Sequence, residues 1–177
     1  SSPTGAIRNI AIRGNRFFDT TIYLGKGVSF FDLSDNLFAH TVARISIYLD
    51  AIVSHGRITH NILDHTAATT GANSYGLTFQ TGTSFADIQI CDNDIVMGSG
   101  PSNVNAFNIQ SGTYSQVSIA RNTIRVLASG KHAISALRPG ISAKNNEITV
   151  NGGTAIQFAS GGSTANVVAA VASGRPH

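Results

Sequence analysis

Apolar and polar residues alternate along this chain in short runs that follow a recurring phrase. Written as apolar-x-apolar-x-x-Asn-x-apolar, it reads Ile10-x-Ile12-x-x-Asn15-x-Phe17 and Phe31-x-Leu33-x-x-Asn36-x-Phe38, then Ile88-x-Ile90-x-x-Asn93-x-Ile95 and Val117-x-Ile119-x-x-Asn122-x-Ile124. Two copies are degenerate: Gly56-x-Ile58-x-x-Asn61-x-Leu63 lacks the first apolar residue, and Ile141-x-Ala143-x-x-Asn146-x-Ile148 has a small second one. The asparagines are spaced by 21, 25, 32, 29 and 24 residues. After each comes a second alternating run, such as Ile45-Ser46-Ile47, Leu77-Thr78-Phe79 or Phe107-Asn108-Ile109. Period-two alternation predicts short strands with one buried face. Helical spacing is sustained nowhere before the C-terminal tail.

A unit of two or three short strands, repeated at ~20–30 residues without a long helix, predicts a solenoid. Each repeat makes one coil, and neighbouring coils pair in parallel at ~4.8 Å, so the core becomes a column of stacked Ile, Leu, Val and Phe. An inward Asn at the corner between two strands can donate and accept along the axis, as stacked amides do in other ladders. It also tolerates a tight corner backbone. The predicted fold is therefore all-β, a single-stranded parallel β-helix of about six to seven coils with an Asn ladder.

This frame resembles the right-handed parallel β-helix of the pectate-lyase superfamily, which includes pectin lyases, polygalacturonases, alginate epimerases and phage tailspikes. The resemblance covers residues ~7–158 within a single domain taken as 1–177. It specifies fold more than function, because the scaffold hosts lyases, hydrolases, epimerases and adhesins. At the N-terminal end, Ile7 to Ile12 enters the first coil with no amphipathic helix to cover its strand edge. Open edges are normally covered, so we expect a fragment of a longer chain, a capping domain or a partner chain. Residues 159–177 read as a partial seventh coil or a capping helix, and the spacing from Ile156 to Val167 favours the coil.

Composition narrows the picture. Apolar residues make up 42% and charged residues 12%, against ~25% in ordinary soluble domains, which excludes intrinsic disorder and disfavours a helical bundle. The formal net charge of +3 tilts the chain mildly towards anionic partners, but the basic residues are scattered from Arg8 to Arg175, with no nucleic-acid footprint. No stretch approaches the ~18 apolar residues of a membrane span. Cys91 is the sole cysteine and forms no intrachain disulfide. No cofactor or metal is expected from any motif.

Aligning the coils on the Asn turns the sequence into columns, one residue per rung. The position just before it reads Gly14, Asp35, His60, Asp92, Arg121, Asn145. Asp35, His60, Asp92 and Arg121 make a polar stripe in which a carboxylate could orient a histidine base and an arginine hold a substrate carboxylate. A solvated ladder of opposite charges reads the same way. Four residues after the Asn stand Asp19, His40, His65, Met97, Val126 and Val150. This column is read as inward or as the next corner, with Asp-His-His as a base triad, a metal shell or simple corner hydrogen bonding. Asp64, beside His65, is outward by alternation and belongs with the candidate site rather than with the core. Longer loops at residues 66–74 and 98–105 are expected to wall a groove past His60, Asp64, His65 and Asp92, with Tyr75 and Tyr114 stacking on sugar rings or anchoring the loops.

By resemblance, the expected partner is an acidic polysaccharide, and the expected place is extracellular or on a virion surface. Catalysis would use His60 as base, Arg121 against the uronate, and Asp35 or Asp92 as orienters, with Asp64, His65, Tyr75 and Tyr114 contacting substrate. The other expectation is a non-catalytic shaft of a tailspike or surface adhesin, and resemblance to the tailspikes implies a homotrimer.

Overall fold

The computed structural model describes residues 7–25, 27–81, 83–159 and 167–172. The first coil holds β1 (Ile7–Arg13), β2 (Arg16–Phe18) and β3 (Ile22–Leu24); the second holds β4 (Val28–Ser34), β5 (Leu37–Ala39) and β6 (Ile45–Leu49). The third and fourth hold β7 (Ile52–Thr59), β8 (Ile62–His65) and β9 (Asn73–Phe79), then β10 (Thr83–Cys91), β11 (Asp94–Met97) and β12 (Asn103–Ile109). The fifth runs β13 (Gly112–Ser115), β14 (Val117–Ala120), β15 (Thr123–Val126) and β16 (His132–Leu137), and the sixth β17 (Ile141–Val150) and β18 (Ile156–Phe158).

Every strand pairing among these is parallel, and the strands stack into three ladders. The first two ladders merge into one 13-stranded sheet because β17 runs unbroken through its corner; the third is a 6-stranded sheet ordered β18-β16-β12-β9-β6-β3. This is the parallel β-helix that the repeat predicts. A last strand, β19 (Val167–Ala172), pairs with β17 and sets Ala170 opposite Asn146. The tail thus begins a seventh coil; its other residues, like residues 1–6, lie outside the described residues.

The core is a set of axial columns. Phe17, Phe38, Leu63, Ile95, Ile124 and Ile148 fall in one register line, and Ile22, Ile47, Leu77, Phe107, Ile134 and Ile156 in another. Full burial of such side chains is worth ~1.5–3 kcal/mol each. The degenerate repeat at Gly56 has a packing cause. Gly56 stands in register with Phe31, and a Cβ built on it would lie 1.9 Å from the Phe31 ring. The large ring of one coil fills the space vacated by the next.

The six asparagines form an unbroken ladder. Each Nδ2 donates to the Oδ1 of the Asn in the following coil, at 3.3 Å from Asn15 to Asn36 and at 2.9–3.0 Å for the rest up to Asn146. The same Oδ1 accepts the backbone N–H of the preceding Asn, and from Asn36 onward the second Nδ2 proton reaches a backbone carbonyl of the previous coil. From Asn36 to Asn122 both amide protons and two acceptor sites of every side chain are used, which is what makes an amide affordable inside the stack.

Candidate functional site

The tight corner backbone belongs to the residue before each Asn rather than to the Asn itself, which corrects the expectation from sequence. Gly14, Asp35, His60, Asp92, Arg121 and Asn145 all have positive φ, between 52° and 68°. Gly, Asn, Asp and His are the residues that best adopt this left-handed conformation. Backbone geometry therefore accounts for much of the polar stripe.

The stripe does not assemble as a base with an orienter. Arg121 donates from Nε and Nη2 to the two carboxylate oxygens of Asp92, at 2.9 and 2.7 Å. Those hydrogen bonds hold the Asp92 carboxyl below its ordinary pKa and Arg121 above its own. The guanidinium offered to a uronate is thus already occupied. His60 lies between Asp35 and Asp92 in the column yet forms no hydrogen bond or ion pair through its side chain with either, among the described residues.

The column four residues after the Asn turns inward. His40 and His65 are buried, His65 with 0% of its surface exposed, and their rings lie 4.4 Å apart. The buried Ser46 hydroxyl sits between them, 3.0 Å from His40 Nε2 and 2.8 Å from His65 Nε2, while His65 Nδ1 meets the Ser74 hydroxyl at 2.8 Å. Ser46 has one proton, so it donates to one ring and accepts from the other. His40 Nδ1 has no hydrogen-bond partner and lies 4.0 Å from Asp19 Oδ1. Burial pushes His65 down to about 3 and lowers His40 as well. Among the described residues no three His, Cys, Asp or Glu side chains converge to hold a metal.

Other expected contacts are redistributed. His65 is inside and cannot meet a substrate at the surface. Asp64 is partly exposed, but its Oδ1 accepts the N–H and hydroxyl of Thr66, at 2.9 and 2.6 Å, and so shapes the loop base. Tyr75 and Tyr114 are buried anchors rather than stacking platforms. Tyr75 hydrogen-bonds Asn73 and Asn103, tying the two longer loops together, and Tyr114 stacks on Phe85 at 5.3 Å. The loops do lie side by side, with Ser102 N–H bonded to Gly71 O and Asn103 N–H to Ala72 O. They leave from the corner between the second and third ladders, whereas the stripe marks the corner between the first and second.

A second left-handed column stands six residues before each Asn: Asn9, Phe30, His55, Asp87, Gln116 and Gly140, with φ from 52° to 83°. Its signal in the sequence is a slip in the alternation, since two outward residues separate inward ones in Val28-x-x-Phe31-x-Leu33 and Phe85-x-x-Ile88-x-Ile90. Phe30 is the outlier here. A bulky ring at φ 55° is strained, and the ring is 50% exposed. Such strain clusters at sites that contact ligands. One face of Phe30 stacks on His55 at 4.7 Å, and His55 Nε2 lies 3.3 Å from Asp87 Oδ2.

Beside this column lies a groove of about 320 Å³, lined by Asn9, Ala11, Arg13, Phe30, Asp32, His55 and Arg57 among others. Arg13 Nη2 donates to Asp32 Oδ2 at 2.8 Å. Arg57 stands opposite Asp32 in the β4–β7 register and is paired with no carboxylate among the described residues. Two guanidiniums against one carboxylate give the groove a positive balance. It lies on coils one to three, away from the longer loops.

No protein-family model, no curated protein and no solved structure matches this chain.

Proposed function

We propose that this chain is a polysaccharide-directed β-helix of the pectate-lyase superfamily type, which binds an acidic polysaccharide along its flank in an extracellular or virion-surface setting. The observation that carries the reading is the groove, which the half-exposed Phe30 lines together with the Arg57 guanidinium, paired with no carboxylate among the described residues. A sugar ring presents an apolar face to an aromatic side chain, and a uronate carboxylate accepts two parallel hydrogen bonds from a guanidinium. Binding is better supported than bond cleavage, because His60, Asp35, Asp92 and Arg121 do not form a base with a free anion clamp. Retention of the chain in affinity electrophoresis through polygalacturonate, alginate or hyaluronan, lost in Arg57→Ala, is the expected result. Indifference to every acidic glycan would sink the proposal. A parallel assay for unsaturated products and new reducing ends is expected to stay silent.

A second reading, the shaft of a tailspike or adhesin, draws support from one surface. Phe18 and Ile62, 65% and 48% exposed, share the outer face of the second ladder in coils one to three. Light scattering that returned a trimer mass would favour it, and a concentration-independent monomer would count against it.

A further inference from the structure

The groove carries its own counter-anion, and we infer that Asp32 makes it select glycans with widely spaced carboxylates over densely sulfated chains. The inference rests on the binding reading above. Asp32 projects between two cations: its Oδ2 is held by Arg13 at 2.8 Å, and Arg57 occupies the next rung in register. Its Oδ1 is buried and has no hydrogen-bond partner. The carboxylate thus occupies Arg13 within the groove, where a ligand anion would otherwise approach that guanidinium.

Rung spacing gives this arrangement its selectivity. Adjacent coils are ~4.8 Å apart, so a glycan lying along the axis meets a new rung with nearly every sugar. A carboxylate placed on Arg57 finds a free guanidinium. An anionic group one rung away meets the Asp32–Arg13 pair, in which the carboxylate already neutralises the guanidinium, and so gains no second ion pair. A chain with one carboxylate per two sugars can satisfy Arg57 and set an uncharged unit against Asp32, with a ring face on Phe30. The further charges of a sulfated chain find no free cation at that rung. Charge density, the usual source of affinity for basic proteins, thus adds nothing there.

The test compares hyaluronan and heparin oligosaccharides of equal length by calorimetric titration. The wild-type chain is expected to bind the hyaluronan oligosaccharide at least as tightly as heparin. Asp32→Asn keeps the shape, releases Arg13 from an ionic partner and should move the affinity ratio towards heparin by about fivefold, as expected for one charge pair at a solvated site. Ala11→Asp adds a carboxylate one coil earlier in the same column and should move the ratio the other way, which keeps the test valid if Asp32→Asn folds poorly. If the wild type binds an acidic glycan but neither variant moves the ratio, the role of Asp32 is overturned while the binding reading stands. Binding of no acidic glycan by the wild type overturns both.

Discussion

Two polar columns run inside this apolar stack, four residues apart along each coil, and they behave in opposite ways. The Asn ladder continues through six coils, whereas the histidine column stops after two and gives way to Met97, Val126 and Val150. The difference lies in donor and acceptor arithmetic. A carboxamide has two protons and an oxygen with two acceptor sites, so one rung satisfies the next without changing charge. A neutral imidazole has one donor and one acceptor, and here it needs a serine to link it to its neighbour. His40 Nδ1 is left without a hydrogen bond at one end. An inward polar column can be repeated indefinitely only if its unit is self-complementary and does not titrate.

The strongest way to break this comparison is to interrupt the ladder. Asn93→Ala removes the acceptor of the Asn61 N–H and Nδ2 groups and the donor to Ile58 O. Orphaned buried groups cost ~1–3 kcal/mol each, so a loss of about 4 kcal/mol in urea unfolding is expected. Acid should open the histidine column next. The folded-state His65 is lowered to about 3 from an unfolded value of ~6.5, so its contribution is present above pH ~6.5 and is lost as pH falls towards 3. His40 shifts in the same direction. Stability should fall by about 1.4 kcal/mol per pH unit per fully shifted group across this window, and His65→Leu should flatten the slope. A slope equal in both chains would place the acid sensitivity elsewhere. The smallest effect belongs to the outer stripe: Arg121→Gln removes an exposed ion pair and is expected to leave the urea midpoint unchanged.

The fold was legible because Asn15 to Asn146 mark the same corner in every coil and the strands around them alternate. The site was much less so. Asp35, His60, Asp92 and Arg121 drew attention as chemistry although their positive φ explains Asp and His there on backbone grounds alone. The inward turn of the His65 column was legible, because Met97 and Val126 in the same column mark it as core, and only the place given to His65 beside the groove does not follow from that pattern. The column of Phe30 and His55 left a phase slip in the alternation, but its meaning depends on a left-handed residue that no side-chain pattern states. The groove itself joins Arg13, Phe30 and Arg57 from three different coils, and only the register brings them together.

The fit of the Phe31 ring over Gly56 also limits how this molecule can change length. Tandem duplication of the third coil would set one glycine over another and leave a hole where a ring belongs. Duplication of the second would force two phenylalanines into space shaped for one. Coils two and three therefore fit only as a pair, and a change in the length of the column is better accommodated at a boundary such as that between coils four and five, where Ile90 stacks on Ile119 and Ile95 on Ile124.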